Sequence, residues 1–167
     1  LATRERMERT ERKASETAQL LGELRKAKYT PGITLNDWLE KHHQPEAQNG
    51  LSAVELLKRP EITLPALAEL SPELGQFGKP AQEQAEISVK YEGYLERQET
   101  LIRHARQMEE TLLPEDLPYE EVTGLRIEAR QKLMKQRPRS LAAASRIPGV
   151  SPADVAVLMV FLEKHKA

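Results

Sequence analysis

No cysteine occurs among the 167 residues, so disulfide scaffolds, thiolate metal sites and cysteine nucleophiles are excluded from this chain. Aromatic residues are nearly as scarce, at two Phe, one Trp and four Tyr. A large β-sandwich or barrel draws on more β-branched and aromatic side chains than that. Long apolar runs are also missing. The longest, Val155 to Leu162, has eight residues, whereas a bilayer-spanning helix needs about 20. No Gly-x-Gly-x-x-Gly fingerprint follows a strand pattern, which removes the usual dinucleotide cradle. No secretory leader pattern opens the chain, so a cytoplasmic protein without membrane contact is expected. Acidic and basic residues nearly cancel, 26 against 25, and net charge selects no partner.

What remains is helix-forming material. Residues 3–28 contain no Pro, a single Gly (Gly22), and a high density of Glu, Arg, Lys, Ala and Leu, all residues suited to a long helix apart from that one Gly. Its apolar stripe of Met7, Ala14, Leu21 and Leu24 is thin, so this helix leans on a neighbour or projects into solvent. Its eight basic residues against five acidic ones fit a solvated face as well as an RNA contact. The chain starts at Leu1 without a clear helix cap, which suggests a piece of a longer protein.

Two capping-box spacings follow, Thr34 to Asp37 and Ser52 to Glu55, and predict short helices at about 35–41 and 53–58. The loop between them carries His42 and His43. Adjacent residues point to different faces, and no third His follows at helical spacing, so no metal site is expected. Pro60, Pro65, Pro72 and Pro80 then punctuate the chain into short turns, with Leu64, Leu67 and Leu70 as a small apolar face.

From Lys79 the pattern changes. Ile87, Tyr91, Tyr94, Gln98, Leu101, Ala105, Met108 and Leu112 alternate steps of four and three, a heptad seam on a helix of about 30 residues ending before Pro114. The seam predicts antiparallel packing on another helix of this chain. Gly93 within that helix costs about 1 kcal/mol relative to Ala and implies close approach of another backbone. Charge then segregates. Residues 107–121 hold six acidic residues and no basic one, and residues 125–146 hold seven basic residues against Glu128 alone. A basic surface facing phosphate and an internal pairing with the acidic segment both explain this.

The C-terminal end gives the clearest local signals. Pro138 stops one helix, Ser140 caps the next, and Ser151 to Asp154 forms a capping box with Pro152 at the first helical position. The last helix is apolar all round. With Val155, Leu158 and Leu162 given to the core, Val157, Val160 and Phe161 remain for a partner surface or for further burial. His104 and His165 are isolated, and Ser140, Ser145 and Ser151 read as caps, so no catalytic or metal-binding residue is assigned. The expected fold is all-α: a long N-terminal helix, an irregular short-helix middle and a C-terminal helical bundle. The expected division is 1–75 and 76–167.

Several stretches resemble one family. Leu56-Leu57-Lys58-Arg59-Pro60-Glu61, Lys90-Tyr91-Glu92-Gly93-Tyr94 with Arg97-Gln98, Leu112-Leu113-Pro114, and Ser145 through Ala153 are similar to the C-terminal domain of glucose-inhibited division protein A. Within these, Tyr91, Gly93, Tyr94, Gly149 and Ser151 are the motif positions. Pro148 and Ser151 stand where the family pattern usually shows Ser and Thr, swaps that keep the cap chemistry. The family is the FAD-dependent subunit of the enzyme that installs carboxymethylaminomethyl groups on the wobble uridine of certain tRNAs. The resemblance implies that FAD and NAD(P)H belong to a preceding domain, that the parent is a homodimer, and that this part is catalytically silent. It further implies docking of a tRNA-modification GTPase and help in holding tRNA. Lys90, Arg97, Arg130, Lys132 and Arg146 are the candidate tRNA contacts, with Tyr91 or Tyr94 able to stack on a base or to pack in the core. Val157, Val160 and Phe161 are the candidate partner contacts. The alternative is a purely structural helical arm without RNA contact.

Overall fold

The computed structural model describes residues 2–165. They form eight α-helices and one pair of two-residue strands, so the all-α expectation holds with one small addition. Two compact units divide at Arg97/Gln98. The anticipated boundary at 75/76 falls inside the first unit, where Leu74 shares an apolar cluster with Ala85 and Val89. The prolines of that stretch start elements rather than separate domains: Pro65 sits in the first turn of a helix and Pro72 opens a 3-10 turn, positions where the missing N–H is no loss.

The first unit begins with α1 (Ala2–Lys26). Most of α1 is solvated, and only its last turns, through Leu20 and Leu24, enter the core. Strand β1 (Lys28–Tyr29) pairs antiparallel with β2 (Leu51–Ser52), two residues each, too short for any sequence pattern to announce. Between them, α2 (Ile33–Lys41) starts on Gly32 without a side-chain cap. The Thr34 box therefore does not form: the helix begins one residue before Thr34, which places that hydroxyl inside the first turn. The Ser52 box does form and opens α3 (Ala53–Leu57). Thr63 caps α4 (Leu64–Leu70), followed by the 3-10 turn Pro72–Gln76. Trp38 is buried among these elements and its indole N–H donates to the Ala66 carbonyl at 2.9 Å.

Helix α5 (Lys79–Glu110) is long, as the periodicity predicts, but its buried stripe is Ala81, Ala85, Val89 and Gly93. Among the described residues most of the heptad seam is exposed, and Met108 near its end packs against the second apolar cluster. Ile87, Tyr91, Tyr94 and Leu101 are all more than half exposed. Small side chains won this face because they let another backbone come close: a Cβ on Gly93 would lie 2.9 Å from the Lys58 carbonyl oxygen.

The second unit packs an irregular segment under three helices. Leu113, Leu117, Tyr119, Val122 and Leu125 of that segment join Ala129 and Leu133 of α6 (Ile127–Gln136), Leu141 and Ala144 of α7 (Leu141–Ser145), and Val155 and Leu158 of α8 (Pro152–Lys164). Leu112 and Ser140 form an isolated antiparallel bridge. Ser140 accepts from the Ala143 N–H at 3.0 Å and caps α7.

Candidate docking and nucleic-acid surfaces

Helix α8 is positioned by a buried acid. Asp154 is 1% exposed and accepts from the Ser151 N–H (2.9 Å), the Ser151 hydroxyl (2.8 Å), the Arg126 N–H (3.3 Å) and the Arg126 guanidinium (3.0 and 3.2 Å). Burial by itself raises a carboxyl pKa, but these donors outweigh it and hold Asp154 at about 2. Arg126 also donates to the Gly149 carbonyl at 2.9 Å, and Gly149 takes φ +98°, a left-handed turn in which a Cβ would meet the Glu128 carboxylate. The start of α8 and the turn before it are thus tied to the start of α6.

So anchored, α8 gives Val155 and Leu158 to the core. Its other side opens on a groove of about 470 Å³, lined by Ala156, Val157, Val160, Phe161 and Thr123 together with Glu121, Lys164 and His165. Val157 rests against Gly124, whose φ of +102° admits no ordinary side chain. Val160 is 53% exposed, and Phe161 is half-buried with its ring stacked on His165 at 4.0 Å. All three candidate partner residues line this one groove.

The basic residues divide into two groups. Several donate inward, to backbone carbonyls. Arg130 donates to Val122 O at 3.0 Å, with its Nε buried and unpaired. Arg137, in the left-handed region at φ +44°, donates to Glu115 O and Leu117 O at 3.2 and 2.7 Å. Its guanidinium also covers the ring of buried Tyr119 at 5.1 Å. Arg146 pairs with Glu109 at the surface. Lys132, Lys135 and Arg139 are exposed and engage no side-chain partner among the described residues. Lys135 and Arg139 were not singled out by sequence, although no acidic residue occurs from 129 to 153, a signal that could have marked them.

In the first unit Lys90 is spent internally. Its ammonium donates to the carbonyls of Leu57, at 2.7 Å, and of Arg59 and Ile62. Burial lowers its pKa from the ordinary lysine value. Three N–H donors meet three acceptors, so nothing is left over for phosphate. Arg97 donates to the Lys58 carbonyl at 3.1 Å, and Lys58 pairs with Glu96 at 2.8 Å and Glu92 at 3.7 Å. Tyr91 and Tyr94 are exposed, not core. Among the described residues no three His, Asp or Glu side chains gather as metal ligands, and no helix is long and apolar enough to cross a membrane.

The description "tRNA modifying enzyme MnmG/GidA C-terminal helical domain" matches residues 4–99, and "tRNA modifying enzyme MnmG/GidA C-terminal helical bundle" matches residues 101–167. The chain belongs to the MnmG/GidA family. The two family segments meet close to the division between the compact units at Arg97/Gln98. Curated MnmG/GidA relatives are named tRNA uridine 5-carboxymethylaminomethyl modification enzyme MnmG. That of Alkaliphilus metalliredigens is 40% identical over 99% of this chain, and that of Caldicellulosiruptor saccharolyticus 37% identical over 99%. The chain spans 26% of the length of either. The GidA structure of Aquifex aeolicus in its form II crystal aligns with 95% of this chain and 24% of its own, at 26% identity and a TM-score of 0.40.

Proposed function

We propose that this chain is a non-catalytic binding region of a flavoenzyme that modifies wobble uridine in tRNA, docking the partner GTPase through the α8 groove and helping to hold tRNA. The observation that carries it is the groove itself. A groove in which a half-buried aromatic and two valines stand beside a few charged and polar residues has the anatomy of a protein interface. This reading assigns FAD and NAD(P)H no site here: among the described residues the sheet has two antiparallel strands of two residues, without the parallel βαβ cradle of a dinucleotide fold.

The alternative, a structural arm without RNA contact, is favoured for Arg126, Arg130 and Arg137, whose guanidinium groups serve the fold. It does not account for the groove. Capture of the tRNA-modification GTPase by the chain tests docking. Phe161→Ala should weaken capture at least tenfold while melting close to the parent temperature. Leu158→Ala, at a fully buried position, should cost about 2–5 kcal/mol of stability. Equal unfolding by both variants refutes docking at α8.

A further inference from the structure

We infer that the phosphates of a bound RNA are taken by Lys132, Lys135 and Arg139 in the second unit, and that the arginines interleaved with them are structural. This rests on the tRNA contact proposed above and names its residues. Residues 129–153 carry six cations and no acid, yet the structure separates the cations by use. Arg130 and Arg137 point at carbonyls of the segment beneath α6, and Arg146 is neutralised by Glu109. A guanidinium committed to backbone carbonyls gives up those hydrogen bonds when it turns outward to a phosphate. The three that remain are exposed and unpaired among the described residues.

Their placement suits a phosphate chain. Lys132 and Lys135 lie one turn apart on α6, about 4.5 Å along its axis, and Arg139 follows just past its end, where its backbone is held by the Leu113 N–H to Arg139 O bond at 2.7 Å. Long cationic side chains on a fixed backbone meet successive phosphates as point charges and as a guanidinium fork. A protein partner is the poorer match, since lysine is depleted from protein interfaces. The arrangement reads backbone, not sequence. Lys90 is excluded from the contact set by its three carbonyl partners, and Arg97 gives one N–H to the Lys58 carbonyl.

The test measures binding of an unmodified tRNA transcript to the 167-residue chain across a salt series. Each phosphate contact contributes roughly 0.7–0.9 to the slope of log affinity against log salt. Substituting Lys132, Lys135 and Arg139 together with Ala should therefore reduce that slope by about 2–3, with the helical signal and melting temperature unchanged. Arg137→Ala should leave the slope unchanged. If the triple variant keeps the parent slope, these residues are not the contacts, although tRNA binding stands. If the parent chain binds no tRNA at low salt, the tRNA contact itself fails and this inference with it. If the triple variant instead loses capture of the GTPase while keeping tRNA, the surface belongs to the protein partner and the inference is overturned.

Discussion

The two units face the same difficulty, a set of backbone carbonyls left without helix or sheet partners, and use different cations to meet it. In the first unit one residue does the work. Lys90 on α5 gathers the carbonyls of Leu57, Arg59 and Ile62, where α3 ends and the chain turns toward α4. In the second unit the task is spread over arginines, each reaching one or two carbonyls of the irregular segment or the Gly149 turn. An ammonium can converge on three acceptors from one point, whereas a planar guanidinium spans acceptors set apart. The lesson is that basic charge in a sequence is not the same as basic charge offered to a ligand.

That contrast can be broken. The largest effect should come from Lys90→Met, which keeps the aliphatic stem but takes the ammonium from three carbonyls at once, of which that of Arg59 keeps the Ile62 N–H at 3.1 Å. A loss of about 3 kcal/mol is expected, read as a drop in the denaturant midpoint. A loss under about 1 kcal/mol would mean that water replaces the ammonium. Arg137→Ala should cost less, about 1 kcal/mol, because its two acceptors lie nearer the surface and only its cover over Tyr119 is buried.

The smallest effect is a slope. Asp154 has an ordinary value of 3.8 and sits at about 2 when folded. The folded state therefore binds that proton less readily than the unfolded chain does. Its contribution is complete above about pH 4 and is lost as pH falls toward 2. Asp154→Asn should lower stability at neutral pH and flatten this acid limb, and a limb of unchanged steepness would assign the acid sensitivity to other carboxylates.

How much of this could be read in advance follows the range of each interaction. The Ser52 and Ser151 boxes use residues three apart, and both formed as read. Helix α5 was legible in length but not in orientation: large apolar residues at heptad spacing suggested its contact face, while Ala81, Ala85, Val89 and Gly93, which make the contact, are too small to weigh in an apolar pattern. The Thr34 box failed by register, since α2 starts at Ile33. In the candidate sites the crowding of basic residues was visible. Their availability was not, because the carbonyls that engage Arg130 and Arg137 lie 8 to 22 residues away, and Lys90 finds its acceptors 28 to 33 residues away. The excess of apolar residues on α8 was legible for the opposite reason: eight in succession cannot all face one core.

Trp38, the only indole of the chain, is buried in the first unit and bonded to Ala66 O, while the second unit has Tyr119 as its buried aromatic. Fluorescence excited beyond tyrosine absorption is therefore a reporter for one core alone, and far-ultraviolet dichroism for the helices of both. Superimposed denaturation curves from the two signals would make the units one cooperative block. Separated curves would give each unit its own stability from an unlabelled sample.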